Sequence, residues 1–480
     1  MRTLVWFRGK DLRVADHAPL RAAIEGGEVV PLFVVDPYFF AKERARELPH
    51  RMQFLLASLD ALARNVAHLG SRLVLVAGKS VDEVPRLARE LRVDRVVAHR
   101  WTEPFGRERD RRVAAALTVP FELFEGETLA PPGTRRTGSG TPFAVFSAFA
   151  KAFARDVSID APVAAPRALP PLPPDVRVDE VPLPTLTSLD LTENPRVLAG
   201  GERAGRARLA AFVRDTAARY SSDRDRMDLP GTSRLSVDLK FGTLSIRTVW
   251  DAIRGVVEPA RTSFANELLW REFSYHTLWD RPEVLREPFR PAFVGFPWRD
   301  DEEGFRAWCV GATGYPIVDA SARQLLGEGF VHNRARMIAA SFLAKHLLFD
   351  WRRGEAHYLK WLTDGDWAPN DAGWQWSAGC GCDAQPYFRV FNPIVQGQRF
   401  DPDGAYVRRW VPELAALPAK HIHAPWTAPV EVLRAAGVRL GETYPRPIVD
   451  HAEARTRFLV TADAHLRGPA KSGPPARRGD

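Results

Sequence analysis

Cysteine is nearly absent from this chain of 480 residues, which has only Cys309, Cys380 and Cys382. Three cysteines make no disulfide framework, and Cys380-Gly-Cys382 lacks the second ligand pair of a zinc site. A reduced, cytoplasmic protein is expected, with the thiols as small packing residues. Long apolar runs are missing too. None reaches membrane-spanning length, and the opening Leu4-Val-Trp-Phe7 is too short for a signal peptide before charge follows. No Gly-x-Gly-x-x-Gly comes after it. Arg8-Gly-Lys-Asp-Leu-Arg13 stands there instead, which argues against the usual dinucleotide site. The sequence shows no internal repeat.

Excess charge is modest: 67 Lys+Arg against 59 Asp+Glu, a formal net charge of +8. Such a balance suits a polyanionic partner, and an Arg-rich coding sequence gives it equally well. The 45% hydrophobic and 26% charged content is that of an ordinary globular protein, and the length suffices for two or three domains. Tryptophan is unevenly spread. Of 14, only Trp6 and Trp101 precede Trp250. Indoles bury, stack and lose electrons, so this concentration means either a large aromatic core or a site for stacking and electron transfer.

The first quarter alternates. Residues 4–7, 29–35, 73–76 and 95–98 read as strands, and residues 19–25, 52–69, 81–91 and 107–117 as helices. Short apolar strands between amphipathic helices imply a parallel sheet covered on both faces, with ligands beyond the carboxyl ends of its strands. Proline then accumulates. Pro170-Pro-Leu-Pro-Pro174 holds neither a helix nor a central strand, so residues 131–204 are expected to be an interdomain linker. Residues 205–455 read as helical almost throughout, and the basic, Pro/Gly-rich stretch 468–480 as a disordered tail. The expected architecture is a Rossmann-like α/β domain over residues 1–130 followed by an all-α domain.

Four segments carry chemistry. In Phe264-Ala-Asn-Glu-Leu-Leu-Trp-Arg-Glu-Phe-Ser274, Glu267, Trp270, Arg271 and Ser274 fall on one helical face. That face is either a surface Glu–Arg pair beside a packed indole or a wall that stacks a flat ligand. In Val331-His-Asn-Arg-Ala-Arg-Met-Ile-Ala-Ala-Ser-Phe-Leu343, Asn333, Arg336 and Met337 share a face, while Ile338, Phe342 and Leu343 point to the core. Basic residues opening a helix oppose its dipole, which favours a bound anion there. Tyr220 and Gly231-Thr-Ser-Arg-Leu-Ser236 offer hydroxyl and N–H donors to a diphosphate, as many loops do. Asp364-Gly-Asp-Trp-Ala-Pro-Asn-Asp-Ala-Gly-Trp-Gln-Trp376 supplies acceptors, a neutral amide and three indoles, and Asp383-Ala-Gln-Pro-Tyr-Phe-Arg-Val-Phe-Asn-Pro393 follows it.

In this order and spacing, these segments resemble the DNA photolyase/cryptochrome family over roughly residues 1–430, and look most like the class I cyclobutane pyrimidine dimer photolyases of bacteria. The resemblance implies light-driven repair of cyclobutane pyrimidine dimers in DNA, by electron transfer from excited, reduced anionic FAD to a flipped-out dimer. It implies FAD contacts at Tyr220, Thr232, Ser233, Arg234, Leu235, Ser236, Arg271, Arg336, Asp364, Gly365, Asp366 and Asn370. Asp364 would face Arg336, and Asn370 would sit near flavin N5. Glu267 would hydrogen-bond the dimer and lend a proton to its radical anion, with Trp270 and Trp376 as the stacking walls. Arg271, Ser274, Asn333, Arg334, Met337, Arg389 and Gln396 complete the implied DNA contacts. Trp298, Trp351 and Trp374 would carry electrons to oxidised flavin.

An antenna chromophore is implied in the α/β domain, with Arg51 and Glu103 as contacts. The segment Glu103-Pro-Phe-Gly-Arg-Glu-Arg-Asp110 is closer to relatives that use 8-hydroxydeazaflavin than to those that use methenyltetrahydrofolate. Three departures stand out. His17 replaces a common asparagine, Phe264 a tryptophan of several relatives, and Cys380 and Cys382 small or hydroxyl residues. The main alternative is a cryptochrome-like photoreceptor without repair activity. Others are a single-strand-restricted, DASH-type enzyme and an unrelated flavoprotein. No metal is expected, and the protein is expected to be monomeric.

Overall fold

The computed structural model describes residues 1–467; the expected tail, residues 468–480, lies outside the described residues. The sheet contains β1 (Arg2–Phe7), β2 (Glu28–Val35), β3 (Val74–Ala77), β4 (Arg95–His99) and β5 (Phe121–Phe124), all parallel, in the order β3-β2-β1-β4-β5. The strand period of two sorts its side chains. Val5, Phe7, Val29, Phe33 and Val97 enter one apolar cluster, while Leu4, Trp6, Val30, Leu32 and Val96 enter the other. Each such side chain contributes about 1.5–3 kcal/mol on burial, so both faces must be covered. The helices Ala18–Gly26, Pro49–His68, Ser80–Glu90 and Pro104–Ala116 alternate with the strands.

The strand order reverses between β1 and β4, which makes the carboxyl ends of these strands the topological switch point. His17, one of the departures, has a local task there. Its Nδ1 accepts from the Leu20 N–H at 3.1 Å and caps the helix Ala18–Gly26. Its ring lies edge-on to His99, and the carboxylate of Asp11 faces both imidazoles.

The residues fall into two compact units. One comprises Met1–Leu285, Gln324–His332 and His357–Asn370; the other Arg286–Arg323, Asn333–Ala356 and Asp371–Asp480, described here to residue 467. The proline-rich stretch is not bare linker. It holds the helix Phe146–Asp156, whose Phe149 and Phe153 are buried, with Phe149 packing on Phe273. The first unit also contains the helix Ala260–Asp280, and the second the helices Asn333–Ser341, Trp351–Trp361 (in part) and Pro393–Phe400. The helix Trp367–Ala378 starts in the first unit and continues into the second. Among the described residues no helix is long and apolar enough to cross a membrane.

Candidate functional site: a buried charge cluster, an aromatic wall and a group of tryptophans

In the first unit, the helix Ala260–Asp280 places Glu267 and Trp270 half-buried, one turn apart. Trp270 is held flat against Phe146, with ring centroids 3.8 Å apart and planes 6° apart. Stacking on one face orients the indole. Glu267 reaches beyond its own helix. Its carboxylate lies 2.7 Å from the guanidinium of Arg224, which burial would deplete of charge and Glu267 sustains. This ion pair fixes where the Glu267 carboxylate points. Ser274 turns inward, its Oγ donating to the Trp270 carbonyl at 2.8 Å.

Arg271 points elsewhere. It donates to the Glu127 carbonyl at 2.8 Å and lies over the Tyr275 ring. Tyr275 in turn donates to Asp366 at 2.6 Å, and Asp366 is held well below the usual carboxylate range because Lys10, Lys240 and Arg271 outweigh its burial. Asp364 is buried beside Arg234, Ser236 and Glu328 around a narrow cleft. Arg234 adopts a left-handed φ of 53° and stacks over Phe330 at 4.2 Å, with Glu328 at 3.5 Å. Thr232 and Ser233 are half-buried in the same loop, whereas Leu235 belongs to the apolar core with Phe264 and Tyr220. Phe264 lies 5.0 Å from Tyr220, so the second departure from the family pattern packs directly on an expected flavin contact. Burial pushes the Tyr220 phenol up. A Cβ at Gly365 would meet the guanidinium of Arg51, which would have to shift to admit it. Asn370 is half-buried at the start of the helix Trp367–Ala378.

Beyond the carboxyl ends of β1, β2 and β4 lies a cavity of about 90 Å³, lined by Trp6, Arg8, Arg51, Trp101, Glu103 and Phe105 among others. Arg51 and Glu103, the expected antenna contacts, are therefore both in its wall. Arg51 also donates to the Leu359 carbonyl. The guanidinium of Arg109 covers Trp101 at 4.3 Å, and Tyr38 stacks on Phe105 at 4.2 Å. Trp101 Nε1 and Arg51 Nε are buried without a hydrogen-bond partner, the kind of donor that an acceptor-bearing aromatic ring satisfies. The lining fits such a group.

The second unit contains the remaining expected residues. Trp374 and Trp351 are buried, and Trp298 is half-buried. A Cβ on Gly354 would collide with the Trp374 ring, so the helix that begins at Trp351 meets this indole backbone-first. The Arg299 N–H donates to the Leu348 carbonyl at 2.7 Å, which brings the chain at Trp298 alongside the segment leading to Trp351. Sequence reasoning missed Trp308, which meets Trp374 edge-on at 5.9 Å and donates to the Ala339 carbonyl. Asn333 is exposed, and its amide reaches Met337 Sδ at 3.8 Å, which confirms their common face. Arg334 lies over Phe400 at 4.4 Å. Arg336, Trp376 and Gln396 are half-buried, and Arg389 is exposed. Gln396 sits on the helix Pro393–Phe400, capped by Asn392.

A family model for DNA photolyase matches residues 3–171, and one for the FAD binding domain of DNA photolyase matches residues 264–464. The deoxyribodipyrimidine photo-lyase of Agrobacterium fabrum is 41% identical over 471 residues, covering 95% of this chain and 96% of that protein. A counterpart from Thermus thermophilus is 40% identical over 97% of this chain and 99% of its own length. The crystal structure of a bacterial class III photolyase from Agrobacterium tumefaciens superposes with a TM-score of 0.91 at 40% identity, over 97% of this chain and 98% of that one. The chain belongs to the DNA photolyase family, as an FAD-binding enzyme of the deoxyribodipyrimidine photo-lyase kind.

Proposed function

We propose that this enzyme repairs cyclobutane pyrimidine dimers in DNA, and that blue or near-UV light drives the reaction. What supports this reading most is the helix Ala260–Asp280, on which Glu267 and a Trp270 backed by Phe146 lie one turn apart. When bound, reduced anionic FAD supplies the electron that opens the cyclobutane ring once light has been absorbed.

The rest is the work of the chain. Trp270 and Trp376 stack the extruded dimer, and extrusion costs least where the duplex is already distorted. Glu267 hydrogen-bonds the dimer, and Arg224 holds that carboxylate in place. Asn333 and Met337 close the pocket, where (6-4) enzymes have two histidines. Arg334, Arg389 and Gln396 contact the DNA backbone and set its register without reading sequence. Tyr220, Thr232, Ser233, Arg234, Leu235 and Ser236 hold the diphosphate end of FAD. Arg271, Arg336, Asp364, Gly365, Asp366 and Asn370 surround the ring, with Asn370 near N5 as a neutral amide that supplies no proton. Trp374, Trp351 and Trp298 pass electrons inward from the surface.

Residues 1–130 form the antenna domain, and the cavity at Arg51, Trp101 and Glu103 takes the second chromophore, 8-hydroxydeazaflavin in preference to methenyltetrahydrofolate. The protein acts as a cytoplasmic monomer. The test is lesion choice. Photoreduced protein under blue light should restore thymine absorbance in oligonucleotides carrying cyclobutane dimers and leave (6-4) lesions untouched. Repair of (6-4) lesions, or of neither, would overturn the assignment.

A further inference from the structure

Lys10 lies in the loop after β1, far in sequence from every expected flavin contact, yet its ammonium is buried against one of them, Asp366. Nζ is 2.9 Å from Glu103, 3.0 Å from the Tyr275 hydroxyl and 3.3 Å from Asp366 Oδ1, and it also bonds Glu127. Tyr275 takes the other oxygen of Asp366 at 2.6 Å, so both carboxylate oxygens are engaged. Glu127 is tied from two sides. Its carboxylate accepts from the Thr102 N–H at 2.9 Å, and its carbonyl accepts from Arg271 at 2.8 Å. Tyr275 is wholly buried, and Lys10, Glu103 and Asp366 nearly so.

One ammonium therefore joins loops of the sheet to the helix Ala260–Asp280 and to the Asp364-Gly-Asp366 segment. Three carboxylates converge on it, and without it Glu103, Glu127 and Asp366 would repel one another in a medium that screens poorly. We propose that Lys10 is a positioning residue for the flavin, fixing the Asp366 carboxylate and offsetting its charge so that the reduced cofactor is retained. The proposal rests on the reading of Asp366 as an FAD contact. A negatively charged reduced flavin is disfavoured by every uncompensated carboxylate near it, and Lys10 is the cation that those three carboxylates share.

The test is spectroelectrochemical titration of FAD bound to the full-length protein, together with FAD affinity measured by fluorescence. Lys10→Met should weaken reduced FAD relative to oxidised FAD about tenfold, a fall in potential of about 30 mV for a two-electron couple. Lys10→Arg, which keeps the charge, should largely reverse the fall. Asp366→Asn is the reference, expected to change FAD affinity at least about tenfold, as loss of a charged hydrogen bond does. If Asp366→Asn shifts the flavin and Lys10→Met does not, the role of Lys10 is overturned. If Asp366→Asn itself leaves affinity and potential unchanged, the reading of Asp366 fails, and the proposal with it. Should Lys10→Met fail to fold, Glu103→Gln, which removes one competitor for the same ammonium, is expected to raise the potential. No rise would again overturn the proposal.

Discussion

Around Asp366, six ionisable side chains (Lys10, Glu103, Glu127, Arg271, Tyr275 and Asp366) lie together out of water. Around Trp374, in the other compact unit, the near neighbours include the indole of Trp308, the side chain of Leu343 and the backbone of Gly354. The first region holds charge in place by surrounding each ion with counter-ions and donors, the only condition under which buried ions are tolerated. The second packs aromatic rings against one another and against apolar side chains. In the proposed account, the first region keeps the flavin reduced and the second passes transient electrons to it. Substitutions should therefore separate the two functions.

The largest effect is expected at the relay. Trp351→Phe should reduce light-driven reduction of oxidised FAD to background, while chemically reduced protein still repairs dimers. Normal photoreduction in the variant, followed by flavin absorbance, would remove Trp351 from the path. Trp308→Phe sharpens the contrast, since the expected chain of Trp374, Trp351 and Trp298 omits Trp308 and photoreduction should persist.

Next comes the proposed dimer wall. Base–aromatic stacking is worth about 1–3 kcal/mol, so Trp270→Ala should weaken binding of dimer-containing DNA about 10–100-fold while FAD stays bound. Equal loss of FAD would place Trp270 with the cofactor rather than the DNA. Glu267→Ala removes a hydrogen bond from a charged group, worth about 1.5–3 kcal/mol, and should lower repair at least about tenfold. Arg224→Ala should show part of the same loss if Arg224 positions Glu267; an unchanged rate in Arg224→Ala would dissociate the pair from function.

The smallest effect on repair, and the one confined to the second unit's core, concerns Lys345. It is wholly buried, its ammonium donates to the Arg389 carbonyl at 2.9 Å, and burial pushes its pKa down to about 7. Between there and the ordinary lysine value of about 10.4, the unfolded chain binds a proton that the folded chain does not. Stability gains from this group as pH rises through that window. Lys345→Met should be more stable than the parent at pH 7, with the advantage shrinking toward pH 10, as read by chemical denaturation. A constant difference across that range would contradict the shifted amine.

Much of the sheet was legible because apolar strands alternating with amphipathic helices leave little choice of topology. β5 was not: its four residues are all half-buried, and Glu122 interrupts them. The helix Phe146–Asp156 escaped because glycine and proline surround it on both sides, and its apolar face becomes meaningful only once Phe149 meets Phe273. The candidate site divides along the same line. Glu267, Trp270 and Ser274 share a helix, as do Asn333 and Met337, and spacing alone groups them. The Lys10 cluster brings together residues 356 positions apart, and no local pattern announces that. The loop Arg8-Gly-Lys-Asp-Leu-Arg13 lacks the dinucleotide fingerprint, and nothing in its local pattern marks Lys10 as a partner of Asp366. Phe146 behind Trp270 was invisible for the same reason.

The deciding experiment is dimer repair by chemically reduced, FAD-loaded protein, a preparation that bypasses the proposed tryptophan path. Oligonucleotides carrying a cyclobutane thymine dimer are incubated in darkness and under blue light, and the restored thymine absorbance is followed. Recovery under illumination alone, lost in Trp270→Ala that retains FAD, is the predicted result. No recovery in the light, with FAD bound and reduced, would contradict the account.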